Sequence, residues 1–191
     1  MWNETEAILR REAMKPWQRF LIISISSTLA LALSLSPSKS QANRSFCAAA
    51  EEHVSSDSRL REAVKVVFGS PEYSSQNDDE CIYPLKVLHY SDTDVLLAIG
   101  TNPGYACHAC SASLSAYVMR RKASGLQLVK RFIDFGYVGT WGSPGTISPI
   151  EIAGDDGFAV ESGGTFQGHT SSSLDFYVFR QDRVVHLVPT P

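Results

Sequence analysis

The sequence predicts a mainly β protein: an antiparallel up-and-down meander of about eight strands, closed as a barrel or folded as a sandwich, with a short N-terminal helix. Three observations predict it. From Cys81 onward the chain is a succession of runs rich in Val, Ile, Leu, Phe and Tyr, each bounded by Gly, Asp, Ser or Pro. Short connections carrying Asp, Ser or Gly join these runs in pairs, as hairpins require. Helical periodicity occurs once, ahead of the first run.

Taken in order, the first element is an N-terminal extension and signal peptide over residues 1–42. Lys15 and Arg19 precede an apolar, Ser-studded run from Phe20 to Leu35, and Pro37 and a small-x-small Ser40-Gln41-Ala42 ending follow. The apolar run is short for a membrane span. Cleavage is expected after Ala42, with no stable membrane insertion afterwards. Glu4, Glu6 and Glu12 suit a charged start poorly, which points to Met14 rather than Met1 as the start. No lipobox precedes Cys47. The expected destination is therefore periplasmic or secreted. The remaining 149 residues carry a net charge of −5, and no basic cluster stands out, which excludes a nucleic-acid surface.

Residues 43–80 form the helical segment. Leu60, Val64 and Val67 recur at helical spacing, with Ser58 as the expected cap and Gly69-Ser70-Pro71 as the stop. The β domain follows over residues 81–191. Runs 82–90 and 93–100 turn over at Ser91-Asp92, and runs 113–121 and 126–136 turn at Lys122–Gly125. Runs 147–154 and 157–163 turn at Asp155-Asp156, and runs 172–180 and 183–188 at Gln181-Asp182. Arg120-Arg121-Lys122 reads as a solvated hairpin tip. The four pairs share no motif, so a repeat architecture is not indicated.

Three longer, glycine-rich connections remain: residues 101–112, 137–146 and 164–171. In a meander every strand reverses direction, so these three loops gather at one end and the short turns at the other. Cys107, His108, Cys110, Trp141 and His169 are expected together there, where loops on a rigid sheet carry function.

Cys107-His108-Ala109-Cys110 is the chemically pointed stretch. Ser111 occupies the place where c-type haem attachment needs His. Tetrahedral zinc needs four ligands, and His89, His108 and His169 stand at no diagnostic spacing, so no metal or other cofactor is assigned. A CxxC thiolate normally draws on a following helix N-terminus, whereas the residues after Cys110 alternate like a strand. The reading that remains is two disulfides, Cys107–Cys110 within the loop and Cys47–Cys81 tying the helical segment to the first strand. An even cysteine count in an exported chain agrees with it.

Trp141 between glycines can stack on a sugar or peptide, Tyr105 and His108 flank the cysteines, and His169 can serve as an acid, base or ligand. No G-x-S-x-G elbow, Walker loop or dinucleotide fingerprint is present. Glu161 and Asp134 fall inside strands rather than as a placed carboxylate pair. The leading function is thus a non-catalytic binding or interaction module for a small molecule, glycan or protein. The alternative is a thiol-redox or metal-binding role for residues 107–110, and a third reading is a hydrolase using His169 and a loop carboxylate.

The stretch GTNPGYACHACSASLSAYV, with the later GTWGSP and GGTFQGHT, resembles a group of uncharacterised exported bacterial proteins that carry a C-H-x-C motif. The resemblance covers about half of the mature chain. It implies export and supplies no catalytic residue.

Overall fold

A computed structural model describes residues 45–74, 80–104 and 107–187. The readings of residues 1–42, including Met14 and the cleavage after Ala42, lie outside the described residues, as does Tyr105.

Two short helices come first, α1 (Ala50–Ser56) and α2 (Ser58–Phe68). The sequence reading had one, and α1 is an addition. It is short, and its buried positions are Ala50 and Val54, too few for a visible apolar stripe. The cap of α2 is Asp57 rather than Ser58. Asp57 is the extended residue between the two helices, and its Oδ1 accepts from the N–H groups of Arg59 and Leu60 at 2.8 and 3.2 Å. These bonds hold its carboxyl below the ordinary range, the Leu60 N–H being the larger influence. Gly69 closes the helix at φ 78°, donating to Lys65 O.

Eight strands follow: β1 (Tyr83–His89), β2 (Thr93–Ile99), β3 (Ala112–Lys122), β4 (Gly125–Val138), β5 (Thr146–Ile152), β6 (Asp155–Phe166), β7 (His169–Phe179) and β8 (Val184–Leu187). They form two antiparallel four-stranded sheets, ordered β1-β2-β3-β4 and β5-β6-β7-β8. Each sheet is an up-and-down meander, and the two stack as a sandwich rather than a closed barrel.

The first sheet is buried on both faces. Towards the second sheet, Val95, Leu97, Ile99, Leu114, Ala116 and Phe132 meet Ile147, Phe158, Val160 and Tyr177. Towards α2, Leu96, Ala98, Tyr117 and Met119 meet Leu60, Ala63, Val64 and Val67. This double burial explains why Asp94–Ile99 reads as a continuous run with no alternation, all six residues being buried. Cys47–Cys81 is formed, with both residues fully buried beside Ala50, Tyr73 and Tyr83. Cys107–Cys110 is formed as well.

Two connections differ from the sequence expectation. The β5–β6 turn is Ala153-Gly154, at φ 54° and 83°, and Asp155-Asp156 open β6. The stretch 164–171 is not a long loop. β6 continues to Phe166, β7 starts at His169, and Gln167-Gly168 form a two-residue turn at φ 49° and 83°. Both are type I′ hairpin turns, which need positive φ at both central residues and usually carry Asn-Gly or Asp-Gly. Ala-Gly and Gln-Gly hide that signature.

Candidate functional site

The loop after β4 builds the site. Thr140 N donates to Ser143 O at 3.1 Å and Ser143 N donates back to Thr140 O at 2.9 Å. Trp141 and Gly142 are the two residues between, with φ 53° and 65°. That is a miniature type I′ hairpin with a tryptophan at its first central position. Gly139 makes the fold-back possible: a Cβ there would lie 1.7 Å from Ser143 O. Trp141 is left-handed without being glycine, a conformation costing about 1–3 kcal/mol. Its side chain is 46% exposed, so the strain does not serve to bury the ring.

The loop between β2 and β3 grips that turn from the other side. Cys110 N donates to Cys107 O at 2.8 Å, so residues 107–110 form a turn which the disulfide closes. The Trp141–Gly142 peptide is held at both ends: Gly104 N donates to Trp141 O at 2.9 Å, and Gly142 N donates to Cys110 O at 2.9 Å. The His108 and Trp141 rings meet edge to face, with centroids 4.5 Å apart. Further along, Thr140 Oγ1 donates to Gly163 O at 3.3 Å and Ser162 Oγ to Pro144 O at 2.7 Å, which fastens the turn to β6.

Cys107, His108, Cys110 and Trp141 are therefore brought together as the meander predicted. His169 is not part of the cluster. It lies at the same end but opposite Phe166, three residues beyond Gly163, about 10 Å further out along the ribbon. The reason is the hairpin that replaces the expected third loop. His89 stands at the other end of the sheet. Its Nδ1 lies 2.6 Å from Asp94 Oδ1, and Arg59 Nη1 lies 3.0 Å from its Nε2. A guanidinium only donates, so Nε2 accepts and Nδ1 carries the proton given to Asp94. Arg121 completes that cluster with a 2.7 Å bond to Asp94 Oδ2.

Sequence reasoning missed three features. Tyr137, at the root of the Trp141 loop, is 68% exposed and adds a second aromatic surface. Asn102 is buried, and neither its Oδ1 nor its Nδ2 has a partner among the described residues; it follows Gly100-Thr101 as an ordinary turn residue and carries no sequence signal. At the short-turn end, Tyr90, Ser91, Thr93, Asp94, Arg120 and Arg121 line a cleft of about 370 Å³. Asp156 lies close to that end, receiving a bond from Thr93, and burial raises its carboxyl above the ordinary range.

The loop end itself is electrically plain. Residues 100–111 and 139–145 contain no Asp, Glu, Lys or Arg, and His108 supplies the titratable imidazole. Asp134 lies in a β4 bulge at φ 47°, its carboxylate accepting from the Oγ of Ser113, the residue opposite Tyr137, and its own N–H donating to Ser115 Oγ. Among the described residues no three His, Cys, Asp or Glu side chains converge as metal ligands would. Compared with known proteins, the chain matches no family model, no curated protein and no solved structure.

Proposed function

We propose that the protein is an exported, disulfide-stapled binding module whose loop end, built from Trp141, His108 and Tyr137, takes an uncharged ligand by stacking. The observation that carries this reading is the Trp141 turn: a left-handed, half-exposed tryptophan whose peptide is pinned by Gly104 and Cys110. Strain held in place by surrounding bonds, with an apolar ring left in water, is a pattern of presentation rather than of packing. The absence of charge in both loops favours a glycan or an uncharged peptide segment over an ionic ligand. The N-terminal sequence pattern supports export, and the two disulfides suit an oxidising compartment. No helix among the described residues is long and apolar enough to cross a membrane.

The experiment is a glycan and peptide array probed with the chain from Asn43 onward, in parallel with Trp141→Ala. Binding that is lost in the variant while its melting temperature is kept supports the reading. Equal binding by both, or no binding by either, removes it. N-terminal sequencing of fractionated protein tests export, and a full-length cytoplasmic product overturns it.

A second reading, thiol–disulfide exchange at Cys107–Cys110, is favoured by one contrast. Cys107 is exposed, whereas Cys47 and Cys81 are fully buried. Against it stands β3, which begins at Ala112 where an activating helix would be. Incubation with a dithiol peptide decides: one peptide disulfide formed per Cys107–Cys110 pair reduced sustains it, and an unreacted peptide ends it.

A further inference from the structure

We propose that the outer edge of β7 is a pairing edge for a second copy of this chain. β6 and β7 pair without interruption from Gly157↔Val178 to Phe166↔His169. Their flanking strands are shorter. β5 reaches β6 no further than Glu161, and β8 reaches β7 no further than Phe176. The ribbon therefore projects past the sandwich. Along its β7 side, His169–Leu174 are all exposed and have no outer neighbour strand among the described residues.

An open strand edge presents unpaired N–H and C=O groups, and proteins blunt such edges with proline, bulges, charge or shortness. The other edges here carry these devices. β1 has Pro84 and a register break between Pro84 and Lys86. β4 has two register breaks, along with Lys130 and Arg131. β5 contains Pro149 and Glu151, and β8 is four residues long. His169-Thr-Ser-Ser-Ser-Leu174 has no proline, no break and no Lys, Arg, Asp or Glu.

That neutrality selects the occupant. Two-fold antiparallel pairing sets a stretch against itself, so a charge near the axis would face its own copy. With the axis through Ser171, Ser171 faces its own copy, Thr170 faces the partner copy's Ser172 and His169 faces the partner copy's Ser173, since opposed residues of an antiparallel pair share a face. Serine and threonine opposite one another can share hydrogen bonds across the pair. This register leaves Asp175, bonded at 2.9 Å to His186, outside the paired stretch. Trp141 and its gripping loops lie alongside β6, on the opposite edge of the ribbon, so pairing leaves them free.

Sedimentation of the chain from Asn43 onward over a wide concentration range is the test, with S171K/S172K as the variant. The expected result is a monomer–dimer equilibrium and loss of the dimer in the variant. Hydrogen exchange should show amides of 169–174 gaining protection at high concentration. Both substituted residues are exposed, and the melting temperature of the variant checks that the fold is intact. A monomer at every concentration overturns the proposal, even if the same edge captures a peptide. A dimer that survives S171K/S172K, or one that leaves 169–174 unprotected, also overturns it.

Discussion

Trp141 occupies the first central position of a type I′ turn, where asparagine is the common choice. Nothing in its burial repays that conformation, since nearly half of the side chain is exposed. Trp141→Asn should therefore stabilise the protein, by about 1 kcal/mol, while removing the stacking surface. Urea unfolding of the two proteins checks it. A lower midpoint in the variant would mean that the contact with His108 holds the loop together, and the ring would then be structural. The residues around it separate what a sequence can and cannot disclose. Trp141 and the two loop cysteines were legible, because a tryptophan between glycines and a CxxC are unusual neighbours. Asn102 was not, because an orphaned amide is a property of its surroundings. His169 was misplaced by one residue-scale fact: Gln167-Gly168 closes a two-residue turn without the asparagine or aspartate that announces one.

At the scale of elements, α2 and the two disulfides make separable claims. Asp57 is ionised more readily in the folded chain than in the unfolded one, chiefly through the Leu60 N–H. A carboxylate with a lowered folded pKa contributes stability that is complete above its unfolded value and is lost as pH falls through the folded one. Asp57→Ala should accordingly cost about 1 kcal/mol at pH 7 and less at pH 2; a cost that does not fall with pH would refute the charge contribution to the cap. The Cys47–Cys81 link spans 34 residues of chain, against three for Cys107–Cys110. Loop-closure entropy assigns about 3–4 kcal/mol to the first and about 2 kcal/mol or less to the second. Thermal melts of Cys47→Ser and Cys110→Ser should rank accordingly, and equal losses would contradict that ranking. The strand elements were the most legible part of the sequence, since apolar runs with polar punctuation mark them, and the two turns misread were those without Asn or Asp before the glycine. α1 was not legible because two buried side chains in seven residues leave no periodicity.

For the whole molecule, the sequence left barrel and sandwich open, and the difference lies in the strands that are buried twice. β2 and β3 lie between the helices and the second sheet, so their apolar residues serve two cores. A barrel would have one interior and a solvated outside, with cleaner alternation along each strand. The consequence for function is a division of labour. The inter-sheet core fixes where β4 ends and where β5 begins, and the loop joining those strands carries Trp141 without adding it to the core. Phe158 is central to that scaffold: it is fully buried and stacked on Tyr177 at 5.0 Å. Phe158→Ala should cost about 3–5 kcal/mol, while Trp141→Ala, with an exposed ring, should change stability by no more than about 0.5 kcal/mol. Ligand affinity should follow the opposite order when measured well below the melting temperature of each variant: unchanged in Phe158→Ala and lost in Trp141→Ala. If both quantities fall together in both variants, loop and core are one cooperative unit, and the loop end is then a part of the fold rather than a site carried on it.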